Sequence, residues 1–383
     1  MEKLIELYKK DDILVSSTVL SNNKPDYVYI PILENSKILV RRGEAVKIGS
    51  PIIKTNNKMI NSSVSGTVTS IKKVNTITNH LIDAIEIAND FEEKHVKEIK
   101  AKKISSLKKE RIQEVLNDFS IEINPHTTLV LNCVDDEPYV LTENFYLFLN
   151  TLEYLELLDK LASVYELDQV RIVIKSSSSN NINQLMNYLG MFTNISLNIV
   201  PDLYLLEREQ FLIRYLSLKE EKTTVIKASD LYHINNILKK NKTISDVLIT
   251  ISGNNIKNPS IVKVRIGEYL KTALNELIKE EANSVYIGNG LMKGKIIDPE
   301  NLVITKEIKS ILIMKKEKTV KEEKCINCGA CIDICPVSIN PILLEKKEYR
   351  ERVKEKCISC GLCSYICPAH INFNKKWHGD ENE

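Results

Sequence analysis

The sequence lacks long apolar runs and any marked excess of one charge. Nowhere in its 383 residues is there an uninterrupted apolar stretch of about 18 residues, the usual minimum for a membrane-spanning helix. Its first residues show neither the apolar core nor the cleavage site of a secretory signal. The 53 Lys and Arg nearly balance the 51 Asp and Glu, without a basic stripe for nucleic acid. We therefore expect a cytoplasmic protein with no transmembrane segment and no nucleic-acid partner.

Glycine and cysteine are both unevenly distributed. The chain has 12 glycines, none of them between Gly66 and Gly190. Eight of the nine cysteines lie between Cys325 and Cys367. This concentration favours metal ligation in a reducing compartment over a disulfide framework. The remaining one, Cys133, follows an apolar run and is predicted to be a buried small hydrophobe.

The eight clustered cysteines form two repeats of C-x2-C-x2-C-x3-C, each followed by proline. Three thiolates on a tight loop can bind three irons of one cubane, while the fourth reaches the other cluster. The repeats therefore predict two [4Fe-4S] clusters with crossed ligand sets. The predicted ligands are Cys325, Cys328, Cys331 and Cys367 for cluster 1, and Cys357, Cys360, Cys363 and Cys335 for cluster 2. Gly329 and Gly361 are expected to let backbone N–H groups approach the sulfides.

Zinc is the alternative reading of these cysteines, because C-x2-C pairs also form structural zinc sites. A zinc site needs four ligands and has little use for a third evenly spaced cysteine and the Cys-Pro ending. The spacing therefore favours iron–sulfur clusters. Residues 341–356, between the repeats, predict a charged helix that makes the module larger than a minimal ferredoxin.

The remaining chain shows three patterns. Residues 28–88 contain short alternating strands separated by Gly43, Gly49 and Gly66, typical of a small all-β sandwich. Residues 127–239 alternate apolar strands with helices, which predicts a parallel α/β sheet. Residues 247–281 predict two strands packed by one helix, a compact α+β unit. The fold class is therefore multi-domain, α/β and α+β.

These segments together resemble a known family. SVSGTV at 63–68, NCVDDEPY at 132–139, VRIG at 264–267 and the cysteine repeats occur in the order found in the RnfC proteins of the Rnf ion-translocating electron transport complex. Related proteins are the proline reductase-associated electron-transfer protein and cobalamin reductase.

The resemblance implies four units. These are a barrel-sandwich hybrid at 1–95, an α/β domain similar to the flavin- and NADH-binding 51-kDa subunit of complex I at 100–240, an SLBB-type β-grasp domain with a linker at 241–318, and a two-cluster ferredoxin module at 319–383. The sandwich is also similar to lipoyl carriers, but Lys54 and Thr55 near its hairpin tip lack a modification motif. We expect this unit to be unmodified.

The α/β segment departs from the family where the cofactor should bind. The family's glycine-rich FMN and NADH loop is missing, because it would fall in the stretch without glycine. Asn132, Asp135 and Glu137 match the family pattern and are the candidate cofactor contacts there. A second element, at 204–213, keeps Glu209, but its two glycines are replaced by Glu207 and Arg208. We therefore expect neither FMN nor NAD.

Three functions fit this sequence. The first is a flavin-free electron carrier, and the second is an NADH:acceptor oxidoreductase with FMN, using Asn132, Asp135, Asp136 and Glu137. The third is a metal-stapled scaffold with no redox role. For the carrier, which is preferred and has no catalytic residue, the expected partners are a flavoprotein, a ferredoxin, an Rnf-type complex or an amino-acid reductase. Peripheral association with the inner face of the cell membrane is compatible with the resemblance.

Overall fold

The computed structural model describes residues 19–21, 24–55, 58–78, 80–275, 283–316, 321–345 and 347–373. Among these residues, eight strands precede the first α-helix. They are β1 (Val19–Ser21), β2 (Tyr27–Pro31), β3 (Lys37–Ile38), β4 (Ala45–Val46), β5 (Pro51–Lys54), β6 (Met59–Asn61), β7 (Gly66–Asn75) and β8 (Leu81–Asn89). Seven of them form two small sheets, ordered β2-β8-β7-β4 and β3-β5-β6. Alternate residues such as Val28, Ile30, Ile85 and Ile87 form the core of this sandwich, as the alternating pattern predicts.

The second unit is a four-stranded parallel sheet with helices. Its strands are β9 (Thr128–Asn132), β10 (Gln169–Lys175), β11 (Ile195–Val200) and β12 (Thr223–Lys227). Its helices are α1 (Lys109–Asp118), α2 (Thr142–Leu149), α3 (Thr151–Tyr165), α4 (Ser179–Leu189), α5 (Glu209–Tyr215) and α6 (Ala228–Lys240), with 3-10 turns at Ile104–Ser106 and Glu220–Lys222. The predicted parallel α/β sheet is confirmed.

Strand order in this sheet is β11-β10-β9-β12. The chain moves from β9 outward to β11 and then returns to the other side of β9 with β12. The carboxyl ends of β9 and β12, at Asn132 and Lys227, therefore border the topological switch point, where ligands bind in open α/β sheets. The strands are apolar over most of their length because helices cover the sheet.

The third unit is a mixed sheet larger than the sequence pattern predicts. Its elements are β13 (Asp246–Ser252), β14 (Ser260–Arg265), α7 (Leu270–Asn275), β15 (Ser284–Gly288), β16 (Lys295–Ile297) and β17 (Ser310–Lys315). The order is β1-β14-β13-β17-β15-β16. Strand β1 pairs with β14, so residues 19–21 join this sheet and the sandwich sheets begin only at Tyr27. The unit expected at 1–95 thus contributes β1 to the third sheet, where its partner strand is distant in sequence.

The carboxyl-terminal module contains α8 (Ala330–Asp333), a 3-10 turn (Pro341–Glu345), α9 (Lys347–Lys356) and α10 (Leu362–Ile366). The predicted charged helix at 341–356 is therefore divided into a turn and a helix. Within the described residues, no helix has both the length and the apolar character needed to cross a membrane.

Candidate functional site

The two cysteine repeats follow the same backbone course. Asn327 and Ser359, each two residues after the first cysteine, have φ of 56° and 51°. Gly329 and Gly361, with φ of 78° and 81°, each precede a short helix. A Cβ placed on Gly329 would meet no atom within 4 Å, so open space borders this backbone. The loop can therefore bring its N–H groups close to a large inorganic group.

One cavity in the module is bordered by four cysteines. Its lining includes Cys325, Cys328 and Cys331 from the first repeat and Cys367 from the end of the second. Apolar groups such as Phe373 complete its wall. The structure thus brings together the four residues predicted to bind cluster 1.

The other four cysteines are also close to one another. Burial and, after it, the neighbouring Cys360, Cys357 and Cys335 raise the pKa of the Cys363 thiol to about 12. A thiol with such a pKa is protonated in the absence of a cation, and bound iron would favour its thiolate form. This grouping matches the ligand set predicted for cluster 2.

Backbone donors already point at the sulfur atoms. The N–H groups of Asn327 and Ser359 donate to the Sγ atoms of Cys325 and Cys357 at 3.4 and 3.2 Å. Hydrogen bonds of this kind tune iron–sulfur clusters. The described residues contain no group of three or more His, Cys, Asp or Glu converging on a single metal ion. A cubane has no such requirement, since each cysteine binds its own iron, so the donor set fits two [4Fe-4S] clusters.

The two cysteine loops differ in burial. Cys328 in the first loop is exposed, whereas its counterpart Cys360 is 8% exposed. Cys360 and Leu362 pack against Tyr204, Leu205 and Phe211 of the α/β unit. The second loop therefore packs on a buried surface of the α/β unit, here called the seat, which is formed by Tyr204, Leu205 and Phe211. The first loop leaves Cys328 exposed.

Buried polar and charged side chains lie at the switch point, close to the end of β9. Asp135 accepts hydrogen bonds from the N–H groups of Glu143 and Asn144 at 3.0 and 2.9 Å, and so caps α2. Burial and the nearby Glu143 raise the pKa of Asp135 to about 7. Asn132 donates to the carbonyl of Glu207 at 3.0 Å. Both predicted contacts thus bind the protein's own backbone.

Glu207 lies among three lysines. Its carboxylate is 2.7 Å from Nζ of Lys309, 3.6 Å from that of Lys293 and 3.8 Å from that of Lys227. Burial alone would raise the pKa of Glu207, but attraction to Lys309, Lys293 and Lys227 outweighs it and lowers the pKa to about 2. Glu207 is therefore ionised and occupies a strongly cationic position.

Glu137 joins three parts of the chain. Its Oε2 accepts the N–H of Met292 at 2.7 Å, and its Oε1 lies 3.5 Å from Nζ of Lys293 and 3.2 Å from the hydroxyl of Tyr204. Gly290 has a φ of 103°, and a Cβ there would overlap the Glu137 carboxylate, so glycine suits this position. Burial raises the pKa of Glu137, although Lys293 opposes the shift.

The remaining acids have distinct environments. Asp136 accepts the N–H of Glu207 at 2.6 Å and lies 3.7 Å from Nζ of Lys175. Burial raises its pKa to about 6 despite Lys175. Glu209 lies at the start of α5, where burial and then Glu220 raise its pKa.

Sequence reasoning missed Tyr204 and the three lysines. Lys227 ends a strand of the α/β unit, while Lys293 and Lys309 come from the third unit. No local pattern relates residues so far apart. The glycine-rich stretch at 288–294 was a possible signal, since its Gly290 lies against the Glu137 carboxylate.

The predicted burial of Cys133 is confirmed. Cys133 is 1% exposed, and burial raises the pKa of its thiol well above the ordinary value. Lys54 is exposed beside a turn in which Thr55 donates its N–H to the Lys58 carbonyl at 2.9 Å. The tip itself, residues 56–57, lies outside the described residues.

Comparison with known proteins gives matches at both ends of the chain. Residues 6–92 match the RnfC barrel sandwich hybrid domain, and residues 318–373 match a 4Fe-4S dicluster domain. The C subunit of the ion-translocating oxidoreductase complex of Buchnera aphidicola subsp. Acyrthosiphon pisum is 23% identical over 353 residues, 83% of this chain and 74% of that protein.

Other relatives with that name are longer. The Rhodobacter capsulatus protein is 24% identical over 58% of this chain and 45% of its own length. The Edwardsiella ictaluri protein is 24% identical over 83% of this chain and 44% of its own length. The chain therefore spans less than half of the length of these two relatives.

A solved NAD+-reducing [NiFe]-hydrogenase in the H2-reduced state has 12% sequence identity and a TM-score of 0.45, over 67% of this chain and 54% of that one. The similarity to RnfC proteins rests instead on the two domain matches and the named relatives. The chain is therefore similar to RnfC proteins at both of its ends, and to the named C subunits over most of its length.

Proposed function

We propose that this chain is the iron–sulfur electron-transfer subunit of an Rnf-type oxidoreductase complex and relays single electrons between redox protein partners. The observation that supports this most is the cavity in which three cysteines of one repeat meet the last cysteine of the other. This is the crossed arrangement expected of a module with two clusters. The dicluster match and the name of the relatives agree with it.

The cysteines would act as ligands and not as acids, bases or nucleophiles. We assign Cys325, Cys328, Cys331 and Cys367 to cluster 1, and Cys357, Cys360, Cys363 and Cys335 to cluster 2. When bound, the clusters supply one-electron chemistry. The N–H groups of Asn327 and Ser359 would offset negative charge on sulfur, and the apolar wall around Phe373 would exclude water.

The α/β unit would work without FMN or NAD. Its switch point, the usual ligand position in such sheets, holds the Glu207 carboxylate and three lysines already paired with it. A phosphate there would have to displace this carboxylate or be repelled by it. Asn132 and Asp135 are committed to backbone groups. Because these side chains already occupy the switch point, the structure supports a scaffold role for the unit.

One observation favours the alternative, an NADH:acceptor oxidoreductase with FMN. The segment holding Tyr204 and Glu207 lies between the switch point and Cys360. A flavin bound at this switch point would therefore be close to cluster 2. Asn132, Asp135, Asp136, Glu137 and Glu209 would be the first residues to test as its contacts.

The other units would provide assembly surfaces. We assign the third unit to the SLBB-type β-grasp class because α7 connects antiparallel pairs whose central strands β13 and β17 are parallel. The partners would be other Rnf subunits, since the relatives are named as subunits of such a complex. A flavoprotein, a ferredoxin or an amino-acid reductase are further partner classes, and association with the complex would place the chain at the membrane periphery.

The test is anaerobic purification of the full chain, with iron, zinc and flavin assays and a visible spectrum before and after NADH. We expect about eight irons per chain, no flavin and no bleaching by NADH. Bound FMN with bleaching by NADH would establish the alternative. A colourless zinc protein would contradict both electron-transfer functions and leave the scaffold.

A further inference from the structure

The apolar cluster that packs against the second cysteine loop contains one hydroxyl, that of Tyr204. Tyr204 is 1% exposed and packs with Phe211, Cys360 and Leu362. Its hydroxyl donates to the carbonyl of Cys360 at 2.7 Å. Because the surroundings are buried, this hydrogen bond is electrostatically stronger than one made in water.

The hydroxyl is held in place from its other side. Glu137 Oε1 lies 3.2 Å from it, and Lys293 Nζ lies 5.7 Å above the Tyr204 ring. Glu137 is fixed in turn by the N–H of Met292 and by the absence of a side chain at Gly290. A phenol has one proton, and the shorter contact directs it to Cys360. Tyr204 is therefore oriented by two different units of the chain.

We propose that Tyr204 is a positioning residue that, with Glu137, sets the reduction potential of cluster 2 apart from that of cluster 1. This proposal rests on the proposed function and on Cys360 being a ligand. A hydrogen-bond donor aimed at the peptide of a ligand stabilises the added electron, and hydrogen bonding and solvent exposure both tune such clusters. The counterpart of Cys360, Cys328, is exposed to solvent. The two loops therefore have the same backbone conformation, but their cysteines have different surroundings.

Tyr204→Phe removes the hydroxyl and keeps the ring. We expect the midpoint potential of one cluster to fall and that of the other to stay unchanged, because the donated proton no longer favours the reduced state. Glu137→Gln should move the same midpoint upward, since it removes a negative charge. Anaerobic redox titration of the full-length holoprotein, followed by electron paramagnetic resonance, measures both values.

The matched control is Tyr165→Phe, which removes a buried hydroxyl that donates to Gln113 at 2.8 Å within the α/β unit. It should leave both midpoints at their wild-type values. Unchanged midpoints in Tyr204→Phe, or equal shifts of both, would overturn the proposal. So would loss of only one cluster in Tyr204→Phe, which would make Tyr204 a structural strut. Absence of iron–sulfur clusters from the wild-type protein would instead refute the proposed function.

Discussion

The first and second cysteine loops have the same local structure but lie in two different environments. They share the cysteine spacing, the glycine before a short helix and the N–H to Sγ hydrogen bond. In sequence they differ where Ala330 follows the glycine of the first loop and Leu362 that of the second. Leu362 is 1% exposed in the seat on the α/β unit, while the first loop leaves Cys328 exposed. Similar local geometry can therefore occur in an exposed cysteine loop and in a buried one.

Replacing the cysteine that precedes the proline in each repeat should have the largest effect, and it should affect a different cluster in each case. Cys367→Ala is expected to remove cluster 1 and Cys335→Ala cluster 2, each leaving about half of the iron, because the ligand sets are crossed. Iron assay and electron paramagnetic resonance of the purified variants would identify the cluster that remains. Cys133→Ala, which changes the cysteine outside the repeats, should keep the full iron content. If Cys367→Ala removed the signal that Cys357→Ala removes, the crossed assignment would be wrong.

Leu362→Ala gives the second loop the residue found in the first. We expect it to cost about 2–5 kcal/mol of stability, because a fully buried leucine leaves a cavity in the seat. Cluster 2 should also lose iron to a chelator faster. Unfolding by urea and chelator kinetics would measure the two effects.

Ile326→Ala is the control for that change, because Ile326 is 64% exposed in the first loop. Its effect on stability should stay within about 0.5 kcal/mol. Equal effects of the two substitutions would show that the second loop is not held by the seat.

The smallest predicted effect is a pH dependence of the free energy of unfolding, caused by Asp135 of the α/β unit. Its pKa is about 7 in the folded protein, against an ordinary 3.8, so the folded state holds the proton more tightly. Stability is then full at pH below about 4 and falls as pH rises toward 7. Between pH 5.5 and 8, the wild type should lose about 2 kcal/mol relative to Asp135→Asn.

Urea unfolding of both proteins at these two pH values measures the difference. The control is Asp118→Asn, which changes an exposed carboxylate at the end of α1 and should follow the wild-type pH profile. A constant difference between the wild type and Asp135→Asn would show that Asp135 is charged throughout this range.

Much of the fold was predictable because it is encoded locally. The spacing of apolar residues predicts which residues are buried. This holds for the alternating strands around Val28 and Ile85 and for the apolar runs of β9 and β10. The pairing of β1 with β14 was not predictable, since a three-residue strand has no pattern that identifies a partner so distant in sequence. The same holds for β15–β17, which enlarge the third unit into a six-stranded sheet.

The candidate site divides in the same way. The cysteines were identified from the sequence because ligand spacing on a tight loop is a local property, and Glu207 was recognised as a charge at a former glycine position. The partners of Glu207 were not, because Lys293 and Lys309 reach it only when the third unit packs on the second.

The sequence by itself determined that the chain has two cysteine repeats with cluster spacing and no glycine-rich loop before the parallel sheet, because both are features of contiguous residues. Tertiary structure decided which repeat is buried, which residues fill the switch point and where the Tyr204 hydroxyl is directed. These depend on contacts between units, and a buried charge or donor acquires its energetic effect only from the groups that surround it.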